Sequence, residues 1–112
     1  MNFSESLKKN KDFRNVYQRG ISYANRYLVM YILKNDKNKN RVGISVSKKI
    51  GNSIVRHRLT RLIRESYRLN EKSFLCGYDI VVIARTGARG KNCRDIESAL
   101  IHLGNLHEII DS

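Results

Sequence analysis

The stretch "KKIGNSIVRHRLTRLIRESYR", Lys48 to Arg68, holds seven basic residues against a single acid, Glu65. Wound at about 100° per residue, its apolar side chains Val55, Leu59, Leu62 and Ile63 and the small Ser66 share one face, the spacing of a buried helix side. His57, Arg61, Arg64 and Arg68 form a second stripe roughly opposite, Arg56 and Arg58 flank the apolar face, and Glu65 lies close to Arg58 around the wheel. Gly51 opens the helix, Asn52 or Ser53 caps it, and it closes before Gly77. Arg56 and Arg58 then stand near the positive end of the helix dipole, an unfavourable place for cations unless an anion is bound there. The ordinary reading of a charge run is a solvated surface helix. Such helices interleave Glu with Lys at four-residue spacing, whereas this one uses Arg five times, with no Lys after position 49 of the stretch. Arg makes forked phosphate contacts and stacks on bases, so the face reads as a polyanion-binding surface.

Composition points the same way. The 22 Lys and Arg against 10 Asp and Glu give a net charge of +12 and a pI near 10.1, a field that gathers nucleic acid or anionic membrane. From Lys37 to Arg64 there are nine basic residues and no acid, while Asp95 to Ser112 has four acids and no Lys or Arg. No apolar run approaches the roughly 20 residues that span a bilayer, and the N-terminal "MNFSESLKKNKDF" has no signal-peptide core. A cytoplasmic protein with no membrane partner is expected. Cys76 and Cys93 form no C-x-x-C pair and read as reduced, partly buried thiols. His57, His102 and His107 lack the spacing of a zinc site or a general-base dyad. The loop "RTGARGKN" does not match a P-loop, and a place beside RNA suits Arg85, Arg89 and Lys91 better. No catalytic constellation is carried by the protein.

With 112 residues, 41% of them hydrophobic, one compact domain over residues 1–112 is expected. Phe13, Val16 and Tyr17 predict a first helix, capped by Asn10 or Asp12 and ended by Gly20. "RYLVMYIL", Arg26 to Leu33, and "RVGISVS", Arg41 to Ser47, read as two strands joined in a hairpin, with Ile21 to Ala24 an optional short strand before them. After the Arg-rich helix, "YDIVVIA" reads as a fully buried strand. Ile96, Ala99, Leu100, Leu103, Leu106 and Ile110 mark a final amphipathic helix. The expected fold is α+β: a small mixed β-sheet with packed helices, order α-β-β(-β)-α-β-α, with a parallel crossover between Arg41 and Ala84.

"LKKNKDFRNVYQRG", Leu7 to Gly20, followed by "RVGISVSKKIGNSIVRHRLTRLIRE", Arg41 to Glu65, closely resembles the protein subunit of bacterial ribonuclease P. The resemblance joins an L-K-K-x-x-x-F-x-x-V-Y-x-x-G element to a G-x-S-V-S-K-K-x-G-N strand-to-helix turn and then to the Arg-rich helix. It departs from the family pattern of Arg-Asn-Arg plus a further basic residue: here the positions are Arg56, His57, Arg58 and Thr60. A neutral imidazole at His57 still donates one hydrogen bond, and Thr60 removes a charge. The resemblance implies a ribosomal protein S5 domain 2-like fold with an unusual left-handed βαβ crossover, against the general right-handed rule. It implies that an RNA subunit with bound Mg2+ cuts the 5′ leader from precursor tRNA, while the protein holds no cofactor or metal, binds both RNAs, and has no part in DNA binding. Lys48, Lys49, Asn52, Arg56, His57, Arg58, Arg61, Arg64 and Arg68 are assigned on this basis to the catalytic RNA.

A single-stranded leader binds by stacking bases on aromatics in a basic groove. Phe13 and Tyr17 lie four apart on the first helix, Tyr27 and Tyr31 share one face of the first long strand, and Ser45 and Ser47 leave the next strand's polar face shallow. All four aromatics serving as core is the competing reading. Matched to the family's cleft motif, Lys9, Phe13, Tyr17, Tyr31 and Ser45 are the leader contacts expected. A small basic ribosomal or other structural RNA-binding protein would share the charge and the Arg helix but need no open aromatic groove. A nuclease acting alone would need clustered carboxylates or a base, which the ten acids do not supply.

Overall fold

The computed structural model describes residues 4 to 111; Met1 to Phe3 of the N-terminal stretch and Ser112 lie outside that range. The strand that organises the sheet is the one apolar on both faces, Tyr78–Ala84. A strand with no polar side must be covered above and below and paired on both edges. It occupies the centre of the sheet. In chain order the elements are β1 Ser4–Ser6, α1 Asn10–Arg19, β2 Ile21–Ala24, β3 Leu28–Lys34, β4 Asn40–Ser45, α2 Ser53–Asn70, β5 Tyr78–Ala84 and α3 Cys93–Leu106, with 3-10 turns at Glu71–Ser73 and Thr86–Ala88. The five strands run β1-β4-β5-β3-β2. β5 pairs parallel with β4, Arg41 opposite Asp79 through Ser45 opposite Ile83, and antiparallel with β3, Leu28 opposite Ala84 through Lys34 opposite Tyr78.

The parallel crossover through α2 is therefore present, but the hairpin expected between Arg26–Leu33 and Arg41–Ser47 is not. β5 is inserted between β3 and β4, because its two apolar faces and two edges outweigh the economy of a short connection. The connecting loop instead crosses the start of β5. Asn35 N–H donates to Gly77 O at 2.9 Å, and a Cβ on Gly77 would lie 3.3 Å from Lys37 O at φ +99°, so this crossing calls for glycine. The hairpin that does form joins β2 to β3, Ile21 opposite Ile32 through Ala24 opposite Val29, so the optional strand is real and forms one edge. β1, which the sequence did not suggest, adds parallel to β4 at the other edge.

Alternation along the strands divides the core in two. Leu28, Met30, Val42, Ile80 and Val82 face α2 and α3, while Val81, with Leu7 and Val16, forms a smaller cluster against α1 that Phe13, Tyr31, Leu33 and Ile83 complete. On α2, Leu59, Ile63, Ser66 and Tyr67 are fully buried and Val55 and Leu62 half-buried. Each large apolar side chain buried here contributes about 1.5–3 kcal/mol. Tyr67 was absent from the predicted face. Its ring packs on Phe74 with centroids 5.0 Å apart, and its hydroxyl meets Ser4 Oγ at 2.8 Å and Asn40 Nδ2 at 3.3 Å, which is how a buried tyrosine stays satisfied.

The start of α1 and the end of α3 differ from the sequence reading. α1 is preceded by Lys9, whose side chain makes no cap bond, and both Asn10 and Asp12 lie inside the helix. Gly20 does end α1, in an extended conformation; a Cβ there would sit 2.6 Å from both Ile32 O and Val16 O, so close backbone approach is what requires glycine. α3 buries Ile96, Ala99, Leu100 and Leu103 as expected, but Leu106 is exposed and Ile110 lies beyond the helix, bridged to Phe74. Cys76 is exposed rather than partly buried, and both cysteines are free thiols.

Candidate nucleic-acid interface

The Arg-rich face of α2 divides by what each cation already touches. Asn52 is the N-cap, its Oδ1 accepting from Val55 N–H at 3.0 Å. Arg56 lies half-buried on the inner side, where its Nε donates to Gly51 O at 3.2 Å. Arg58 Nη2 donates to Lys91 O at 2.9 Å. Arg68 forms a forked pair with Glu65, which holds that carboxyl below its usual range. Glu65 therefore pairs with Arg68, one turn on, and not with Arg58. Among the described residues, the exposed side chains of His57, Arg61 and Arg64 make no hydrogen bond or ion pair. Lys48 and Lys49 are exposed in the turn before α2, anchored by buried Ile50. Thr60 is half-buried, its hydroxyl donating to Arg56 O at 2.9 Å. A cation at that position would have lain at the margin of the face.

On the opposite side of the sheet, α1 and the strands enclose an open cleft of about 410 Å³ lined by Asn10, Phe13, Arg14, Tyr17, Ile44 and Ser45. Phe13 and Tyr17 rings lie 6.4 Å apart, and Tyr17 meets Tyr31 edge-on at 5.1 Å. Burial raises the Tyr17 pKa, partly offset by Ser45 beside it, so the phenol is neutral. The floor depends on Gly43, where a Cβ would stand 2.6 Å from Phe13 Cζ. Phe13, Tyr17, Tyr31 and Ser45 are thus brought together as the sequence suggested. Lys9 does not line the cleft. Arg14 does, and the spacing Asn10, Phe13, Arg14, Tyr17 along one helical stripe was the signal available for it. Tyr27 is on the other side, packed against the α2–α3 core with Lys91 Nζ 5.3 Å from its ring centroid, because β3 begins only at Leu28.

Arg41 is withdrawn from the basic surface. Its Nε and Nη2 donate to Asp79 at 2.8 and 2.6 Å, and its Nη1 lies 3.6 Å from Asp12 on α1. Asn35 Nδ2 also donates to Asp79, at 2.9 Å. Burial pushes the Asp79 pKa up, but these hydrogen bonds prevail and hold it below the usual carboxylate range. The network ties α1 to β4 and β5.

No group of three or more His, Cys, Asp or Glu among the described residues could hold a metal. His107 Nε2 donates to Met30 O at 2.8 Å, and burial lowers its pKa, so it fastens the end of α3 to β3 as a neutral imidazole. His102 Nδ1 contacts Asn25 Nδ2 at 3.1 Å. What the geometry offers is two separate surfaces, exposed cations along α2 and an open aromatic cleft beside α1.

The family model described as Ribonuclease P matches residues 1–106. The chain belongs to the ribonuclease P protein family. It is 62% identical over 109 residues to the ribonuclease P protein component of Lachnoclostridium phytofermentans, covering 97% of this chain and 94% of that relative. The solved RNase P protein of Staphylococcus aureus superposes with a TM-score of 0.88 at 37% identity, over 96% of this chain and 99% of that one. That of Thermotoga maritima gives 0.83 at 31% identity, over 90% and 96%. As a ribonuclease P protein, the chain is part of the ribonucleoprotein that matures tRNA 5′ ends, in which the RNA is the catalyst. No helix among its described residues is long and apolar enough to cross a membrane.

Proposed function

We propose that this chain binds the catalytic RNA of ribonuclease P along α2 and the 5′ leader of precursor tRNA in the α1 cleft, on opposite sides of the sheet. The observation that carries this reading is the contrast in bonding. Among the described residues, Arg61 and Arg64 are left without partners on one side, while Phe13, Tyr17 and Tyr31 are gathered around an open cleft on the other. Exposed guanidiniums bind phosphates and release counterions; aromatic floors hold unpaired bases. Mg2+ in this reading is bound by the RNA and not by protein side chains, the chain works in the cytoplasm, and neither DNA nor a membrane is its partner. A small structural ribosomal protein would have no use for the open aromatic cleft.

The test is precursor tRNA incubated at low Mg2+ with the protein, with and without the cognate catalytic RNA. Leader release is expected only when both are present. The double change Arg61→Ala and Arg64→Ala should weaken binding to the catalytic RNA and reduce its salt slope by about two. Site-specific cleavage by protein alone, or an unchanged affinity and slope, would sink this reading.

A further inference from the structure

A second cleft, of about 440 Å³, lies between the turn before β3 and α3, walled by Arg26, Tyr27, Asp95, Ser98 and His102. Neither surface described above uses it. Asn25 makes it rigid: its Oδ1 accepts from the N–H groups of Tyr27 and Leu28 at 3.1 and 3.0 Å, and its Nδ2 donates to Ala99 O at 3.0 Å. The basic loop that follows β5 is fastened to the same turn, with Arg85 Nη1 donating to Asn25 O at 2.7 Å. The loop also touches the Arg-rich helix, because Arg58 donates to Lys91 O. The loop thereby links the edge of the cleft, at Lys91 over the Tyr27 ring, to the α2 face at Arg58.

Tyr27 packs against the main core, and the contact on its ring is the Lys91 ammonium. An exposed cation over a ring is held more weakly than a stacked nucleobase, so a base can take its place and leave the ammonium for the adjoining phosphate. The side chain of Arg26 is exposed and, among the described residues, unpaired. We propose that this cleft receives one unpaired nucleotide of the same catalytic RNA that lies along α2, its base on Tyr27 and its phosphate between Lys91 and Arg26. Asp95 and Ser98 stand where they can accept from an amino group on the base edge. The leader is not the occupant, because its cleft opens on the α1 side of the sheet. This inference rests on the reading of α2 as the catalytic-RNA surface.

The test measures affinity of the full-length protein for its cognate catalytic RNA across a salt series. Tyr27→Leu keeps apolar bulk in the core and removes the stacking ring; it should weaken binding about tenfold with the salt slope unchanged, while Tyr27→Phe binds like the parent. Lys91→Gln should lower the slope by about one. If a melting curve shows Tyr27→Leu unfolded at the assay temperature, the surface double change Arg26→Gln and Lys91→Gln carries the test, with a loss of about two in slope expected. Parental affinity in a folded Tyr27→Leu, or parental slope in that double variant, overturns the proposal. The Arg61→Ala and Arg64→Ala variant run alongside separates the two failures: if it binds normally the α2 reading itself falls, and if it alone is weakened only the second cleft does.

Discussion

The α2 face and the α1 cleft share one sheet but are assembled in different ways. The α2 face comes from a single continuous helix, and its cations vary in availability: Arg61 and Arg64 unpaired among the described residues, Arg58 and Arg68 engaged at the surface, Arg56 turned inward. The α1 cleft is assembled from residues on α1, β3 and β4 and is nearly free of cations apart from Arg14. A charged face tolerates local change, because phosphate contacts are additive and long-ranged. An aromatic cleft does not, because stacking requires each ring at its place.

The largest effect is expected at the network that joins the two sides. Arg41→Ala leaves the Asp79 side chain, 3% exposed, without its cation, a loss of about 3–5 kcal/mol by comparison with other broken buried pairs. It also releases α1 through Asp12, so in any preparation that remains folded, preference for precursor over mature tRNA should fall more than affinity for the catalytic RNA. Chemical denaturation and paired binding curves check this. The same pair sets an acid limit. The folded Asp79 pKa lies below its unfolded value of about 3.9. Its contribution is therefore complete above that value and lost as pH falls through the depressed folded one. Stability followed from pH 6 to pH 2 should drop in the parent below about pH 4 and drop less in Asp79→Asn.

An intermediate effect is expected at Gly43→Val. The new side chain enters the space of the Phe13 ring, displacing one stacking platform worth about 1–3 kcal/mol. The assembled ribonucleoprotein should bind precursor tRNA more weakly and mature tRNA almost as before, and the salt slope for catalytic RNA should not move. A slope that changed with it would mean the two surfaces are not independent. The smallest effect is expected at Glu65→Gln, which frees Arg68. Affinity for the catalytic RNA should rise a few-fold at most, with the salt slope steeper by about one; no change would place Arg68 outside the contact.

What the sequence determined by itself was whatever one segment encodes within a few residues. Most of the inner face of α2, its cap at Asn52 or Ser53, the aromatic pair on α1 and the two-sided strand β5 all follow from spacing along the chain, and the family resemblance followed from the same segments. The Asn10–Arg14–Tyr17 stripe was equally local, so Arg14 could have been named. Sheet order could not, because the demand of β5 for two partners is met by strands distant in sequence, and that demand displaced the hairpin that chain proximity favours. The fate of individual charges was hidden for a related reason. Arg41 counted as one more surface cation until Asp79, 38 residues on, was brought against it, and Tyr27 shared its spacing with Tyr31 until the start of β3 placed them on different sides. Periodicity reports which way a side chain faces relative to its own element; which partner waits there is decided only when the elements pack.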